Sequence, residues 1–145
     1  MKIENEKIVL MDLNENLKSL MSVPNYEIGS YKFDAGERLL MDKNESVKLT
    51  RKESYLLVSF AASAGNLLER KHLLTTIWKD DNYSNSRSMD VYICKIRKLL
   101  AKDPSIMIIN IYAFRFIAVI YFCYKSELPI AKTKCINEFI NSQNI

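Results

Sequence analysis

The sequence predicts an α+β domain in which a small antiparallel sheet comes first, three helices follow and a β-hairpin closes the chain's ordered part. Three observations carry that prediction. Residues 26–49 alternate with the two-residue period of half-buried strands, and turn chemistry sits at Gly36 and at Asp42-Lys43-Asn44-Glu45. Residues 50–100 switch to helical spacing in three separate runs. Residues 106–111 and 116–121 are β-rich runs on either side of a short break.

Taken in order, residues 1–25 hold the apolar run Lys7-Ile8-Val9-Leu10-Met11, which reads as a strand, and Leu17, Leu20 and Met21 at helical spacing up to Pro24. This stretch is a strand and a helix without a domain. Tyr31-Lys32-Phe33, Arg38 to Met41 and Ser46 to Leu49 then supply the sheet. Thr50 with Glu53 three places on is a capping box, which satisfies two orphan backbone N–H groups at the start of a helix. That helix carries Leu56, Leu57, Phe60 and Ala64 at core spacing and stops at Gly65-Asn66, which tolerate a left-handed cap. Leu67-Leu68 leads into a second helix from Arg70 to about Ile77, with Leu73, Leu74 and Ile77 inward and Trp78 as its closing anchor.

The third helix, Asn85 to Leu100, organises the rest. Met89, Ile93, Ile96 and Leu100 form one apolar stripe, with Tyr92 and Leu99 at its edge. Arg87, Val91, Cys94 and Lys98 fall opposite, and Lys95 and Arg97 flank them. Asn85 or Ser86 is the expected N-cap, and Lys98 suits the negative pole of the helix dipole. Residues 86–102 hold five cations (Arg87, Lys95, Arg97, Lys98, Lys102) against one anion (Asp90), a local excess as large as the net +4 of the whole chain. A cationic helix of about four turns fits a DNA major groove, whereas the plainer reading is a solvated face. Asp103-Pro104 ends it. Ile106–Ile111 and Phe116–Tyr121 form the hairpin around Tyr112–Arg115, and Ile136, Phe139 and Ile140 suggest a short helix in a polar tail.

At 145 residues, 48% hydrophobic and 26% charged, the chain fits one globular domain with appendages: residues 1–25, a domain at 26–121 and an extension at 122–145. Three cysteines (Cys94, Cys123, Cys135) without C-x-x-C pairing read as free thiols in a reducing cytoplasm, not as a zinc site. The single histidine, His72, has no suitably spaced acid and nucleophile and reads as a helix-surface residue. Asn110 and Arg115 interrupt the apolar run 106–124, which argues against a membrane span. No phosphate loop, nucleophile elbow or metal motif is present, so no enzyme, cofactor or metal is expected.

Sheet, three helices and hairpin is the order of a winged helix-turn-helix. The motifs Leu49 to Leu57 (L-T-R-K-E-S-Y-L-L), Gly65 to Arg70 (G-N-L-L-E-R), Ile77-Trp78 and Ser86 to Leu100, followed by Asp103-Pro104, resemble the OmpR/PhoB-type effector domain of two-component response regulators. The run Ile77 to Ile93 is similar to the RprY-like branch of that family. The resemblance implies that Arg87, Ser88, Tyr92 and Arg97 grip phosphate and that Val91 and Lys95 read base edges, with Lys98 on the same basic face. It implies wing contacts from Tyr112 and Arg115. It also implies that the loop Lys79, Asp80, Asp81, Asn82 and Tyr83 touches RNA polymerase, the alternative being a solvated connector. Family members bind direct repeats of double-stranded DNA as head-to-tail pairs, so a DNA-templated homodimer is expected.

Two departures stand out. The usual wing V-x-G-x-G-[YF]-[RK] is here Ile111-Tyr112-Ala113-Phe114-Arg115-Phe116, without glycine. Either Ala113 and Arg115 replace the two glycines, or the turn is two residues shorter. Lys7 to Leu17 resembles the first strand and first helix of a receiver, yet Leu13 and Asn14 break the acidic cluster that would begin at Asp12. No phosphorylation switch is therefore expected within these residues. The function expected is sequence-specific DNA binding and transcription regulation in the cytoplasm. The alternative is a protein interaction module, acting on polymerase or on a full-length regulator without binding DNA.

Overall fold

The computed structural model describes residues 8–9, 17, 19–23, 25–111 and 115–121, and the backbone alone at Ile8, Val9, Ile120 and Tyr121. Asp12, Tyr112, Cys123, Cys135 and the tail 122–145 lie outside the described residues. The elements run β1 (Ile8–Val9), β2 (Tyr26–Ile28), β3 (Tyr31–Asp34), β4 (Leu39–Met41), β5 (Ser46–Lys48), α1 (Arg51–Ala62), β6 (Leu67–Glu69), α2 (Arg70–Leu73), α3 (Tyr83–Leu99), β7 (Ile106–Ile111) and β8 (Phe116–Tyr121). A wider π-helical turn, Leu74–Trp78, extends α2. This is the mixed architecture of a winged helix-turn-helix.

Strands β2 to β5 form an antiparallel meander with Tyr26 opposite Phe33, Phe33 opposite Leu40 and Leu40 opposite Val47. The period-two reading holds in β3, where Tyr31 and Phe33 are buried while Lys32 is exposed. The β2–β3 turn needs glycine. Gly29 has φ +58°, and a Cβ there would meet Ile106 Cδ1 at 2.6 Å and also strike the Asp103 carboxylate. That close approach lets Asp103 accept the Ser30 N–H at 2.8 Å. The sheet is pinned to the end of α3 by this contact and by Lys102, which bridges Asp42 at 3.1 Å and Glu45.

Helix α1 is the centre of the molecule. Its capping box forms as the sequence predicts, with Glu53 N–H donating to Thr50 Oγ1 at 3.3 Å and Thr50 N–H to Glu53 Oε1 at 2.8 Å. The five consecutive residues Leu56 to Phe60 are all buried. No single face can account for that, so α1 is enclosed on several sides; it packs against β2, α3, β8 and the π-helical turn. Ser59 lies inside because its hydroxyl donates to the Tyr55 carbonyl at 2.8 Å. The helix ends at Ala62 with Ser63 as its C-cap, so Ala64 falls beyond it, and Gly65 takes the left-handed conformation at φ +83°.

The second sheet has the order β1-β6-β8-β7. Six register pairs join β7 to β8, from Ile106 opposite Tyr121 to Ile111 opposite Phe116, as expected for the hairpin. Leu67–Glu69, expected only as a lead into the next helix, is instead a strand antiparallel to β8. Its other edge takes Ile8 and Val9 as a parallel partner, opposite Leu67 and Leu68. The residues expected as an isolated strand thus join the sheet that carries the hairpin.

Two stability predictions follow from these joints. Gly29→Ala should lower the unfolding free energy by about 2 kcal/mol or more, from left-handed strain and overpacking together, read as a shifted urea midpoint. Asp42 is held below the ordinary carboxylate range by hydrogen bonds from the Asn44 and Glu45 N–H groups and from Lys102. Partial burial pushes Asp103 up, but hydrogen bonds from Ser105 and Ser30 outweigh it and hold it low. A carboxylate depressed by folding stabilises the fold above its unfolded pKa and loses that contribution as pH falls through its folded one. Stability should therefore decline below about pH 4, and Asp103→Asn should flatten that decline when urea midpoints are compared across the pH range.

Candidate nucleic-acid interface

The basic helix starts earlier than the sequence pattern indicates. Asn82, not Asn85 or Ser86, is the N-cap of α3, its Oδ1 accepting the Asn85 N–H at 2.8 Å. Asn85 turns back instead and donates to the Asp80 carbonyl at 3.0 Å, closing the loop against the helix start. The apolar stripe is in place. Met89, Ile93, Ile96 and Leu100 are all buried, and each such side chain contributes roughly 1.5–3 kcal/mol of burial. Tyr92 at the stripe's edge meets the Trp78 ring edge-on at 5.5 Å.

The opposite face is solvent-facing. Arg87, Val91, Cys94, Lys95 and Lys98 are exposed, and Val91 at 55% is a large apolar side chain left open among cations. Lys95 rests over the Tyr92 ring at 5.2 Å. Arg87 lies over the Tyr83 ring and donates to its hydroxyl at 2.9 Å, which holds a guanidinium outward at the first turn. Ser88 is half-buried on the same helix.

Asp90, the one acid in α3, is answered within the protein. Arg70, its side chain 9% exposed, pairs with Asp90 at 2.9 Å and donates to Ser86 Oγ at 3.2 Å. The Arg70 backbone N–H donates in turn to the Arg115 carbonyl at 2.9 Å. One residue thus links the start of α2, the first turns of α3 and the turn end of the hairpin. Sequence reasoning missed Arg70, because its partners lie 16 to 45 positions on. Locally it stands beside Lys71 and His72, and nothing in that basic run marks it as the buried member.

The nine residues expected at the interface separate into groups. Arg87, Val91, Lys95 and Lys98 share the open face of α3. Arg97 reaches back and donates from Nε and Nη2 to the Ile108 carbonyl at 3.1 and 2.9 Å, bracing α3 against β7. Arg115 is exposed at the turn end of the hairpin, with no side-chain partner among the described residues, and Tyr112 lies outside those residues. Lys102 points away from this face into its bridge with Asp42 and Glu45. In the loop before α3, Lys79 has left-handed backbone (φ +72°), Asp80 to Asn82 are exposed, Asp80 accepts from the Asn82 amide at 3.2 Å, and Tyr83 is 75% exposed.

Among the described residues, no group of three His, Cys, Asp or Glu side chains could hold a metal, and no helix is long and apolar enough to cross a membrane. Cys94 is an exposed free thiol.

Comparison with known proteins gives a consistent picture. Residues 44–113 match the family model "Transcriptional regulatory protein, C terminal". Over 87 residues the chain is 52% identical to the transcriptional regulatory protein RprY of Bacteroides fragilis, covering 60% of this chain and 37% of that protein. It is 31% identical over 96 residues to the probable transcriptional regulator ycf27 of Pyropia yezoensis, covering 63% of this chain and 40% of the relative. The chain thus spans about two fifths of the length of these curated relatives.

Among solved structures, the fold matches the DNA-binding domain of CpxR from E. coli with a TM-score of 0.57 at 18% identity, over 69% of this chain and 99% of that one. It also matches the response regulator DrrB of Thermotoga maritima, an OmpR/PhoB homologue, with a TM-score of 0.55 at 26% identity, over 77% of this chain and 50% of that one. Residues 44–113 are thus similar in sequence to transcriptional regulator C-terminal domains, and the fold is that of OmpR/PhoB-type winged helix domains.

Proposed function

We propose that this chain binds double-stranded DNA sequence-specifically and regulates transcription, with α3 in the major groove. The observation that carries this reading is the charge on α3. Its one acid is neutralised by Arg70, so the open face presents Arg87, Lys95 and Lys98 around the apolar Val91. In this reading Arg87 and Ser88 at the helix start and Lys98 near its end take backbone phosphates, while Lys95 donates to guanine acceptors and Val91 touches a thymine methyl. Arg115 and Tyr112 serve the neighbouring minor groove. Tyr92 and Arg97 act mainly through position, Tyr92 as the platform under Lys95 and Arg97 as the brace to β7.

The relatives' descriptions as transcriptional regulators support the regulatory role. Pairing on direct repeats is proposed to be templated by the DNA, with no aspartyl phosphate on residues 1–145 required, since Asp12 has no acidic neighbour. The loop Lys79 to Tyr83 is the proposed RNA polymerase contact. Its support is exposure along its whole length, with Tyr83 a large ring in solvent. The same exposure favours the second reading, a protein interaction module without DNA binding. A cytoplasmic location agrees with the free thiol of Cys94.

Fluorescence anisotropy with a labelled direct-repeat duplex and a scrambled duplex, each across a salt series, tests the assignment. Lys95→Ala should cost about 1–3 kcal/mol on the specific duplex and relax discrimination there. Arg87→Ala should weaken both duplexes alike and lower the salt slope by about one. Failure of the folded chain to bind either duplex, or a genomic fragment pool, at low salt would favour the interaction module.

A further inference from the structure

A second site lies away from the DNA-facing helix. A cleft of about 590 Å³ opens where the helical residues near Met21, the β3–β4 turn, the first turn of α1 and the end of the π-helical turn converge. That volume falls in the range of pockets that take small organic ligands. Leu17, Met21, Ala35 and Tyr55 give it an apolar lining. Arg38, Arg51 and Lys79 supply three cations, and no acidic side chain lines it among the described residues. None of the three cations has a side-chain hydrogen bond or ion pair within the described residues.

The backbone adds an independent observation. Arg38 and Lys79 are the two non-glycine residues with left-handed φ among the described residues, at +56° and +72°. Glycine or asparagine would adopt that conformation with less strain, and long cationic side chains are uncommon there. Both line this one cleft, although they are 41 positions apart in sequence and belong to different elements. Strained backbone that gathers around a cavity is a feature of ligand sites.

We infer that the cleft binds a small amphipathic anion, an apolar body carrying one carboxylate, sulfonate or phosphate group. The body lies against Leu17, Met21 and Tyr55, and the acidic group meets Arg38, Arg51 and Lys79. The occupant ties the N-terminal helical residues to the first sheet and to Lys79, which opens the loop ahead of α3.

The test is equilibrium fluorescence titration of the full chain with 1-anilinonaphthalene-8-sulfonate, and with N-phenyl-1-naphthylamine as the same apolar body without the charge. The expected result is one sulfonate probe per chain, bound at least tenfold more tightly than the neutral one. Arg38→Gln with Arg51→Gln should remove that preference, while Lys43→Gln, on an exposed turn outside the cleft, should leave it unchanged. Gly36→Leu keeps every cation and narrows the cleft; its Cβ meets only Asp34 Oδ1, at 3.5 Å, so the fold should tolerate it and both probes should bind more weakly. Equal affinity for the two probes, or sulfonate binding unchanged in both the double variant and Gly36→Leu, would overturn the assignment.

Discussion

Everything that the basic helix can do depends on how its other face is held. Met89, Ile93, Ile96 and Leu100 are buried in one stripe against α1, and α1 is itself enclosed by the first sheet, the π-helical turn and β8. Close packing of this kind leaves one rotational setting for α3, because turning a helix by one residue would bring a cation inward and push an isoleucine out. Orientation of the charged face is thus a result of core packing. The polar contacts at the two ends refine it: Arg70 fixes the first turns through Asp90 and Ser86, and Arg97 fixes the last through the Ile108 carbonyl.

Charge is distributed by the same logic. The five cations that the sequence places between residues 86 and 102 are sorted by the fold into groups with different duties. Lys102 is engaged by Asp42 and Glu45 at the sheet turn, and Arg97 by a main-chain carbonyl. Arg87, Lys95 and Lys98 are left outward, two of them steadied by tyrosine rings. Such steadying matters because a long side chain already held near its working position loses less freedom when it meets an anion.

Much of the fold was legible because it is local. The capping box at Thr50 and Glu53, the alternation in β3, the apolar stripe of α3 and the two hairpin strands all express interactions within a few residues, and each forms where the sequence places it. What escaped depends on distant partners. Leu67–Glu69 is too short to show a period, and only β8 and β1 make it a strand. Asn82 went unrecognised as the cap because Tyr83 and Ser84 lie on the exposed side of α3, where no apolar spacing marks a helix. Arg70 carries no sign in sequence of the acid 20 positions later that it neutralises.

The parallel pairing of Ile8 and Val9 with β6 gives the second sheet a mechanical character. Tension on the chain at Ile8 passes across the ladder to Leu67 and Leu68, from there to Ile117 and Ala118 in β8, and along β8 to Arg115 at the turn end of the hairpin. Parallel strands loaded along their axis resist in shear, with their hydrogen bonds sharing the load, and do not unzip one at a time. The N-terminal strand is therefore joined to the hairpin through β6, so its two residues and the hairpin share one ladder of hydrogen bonds.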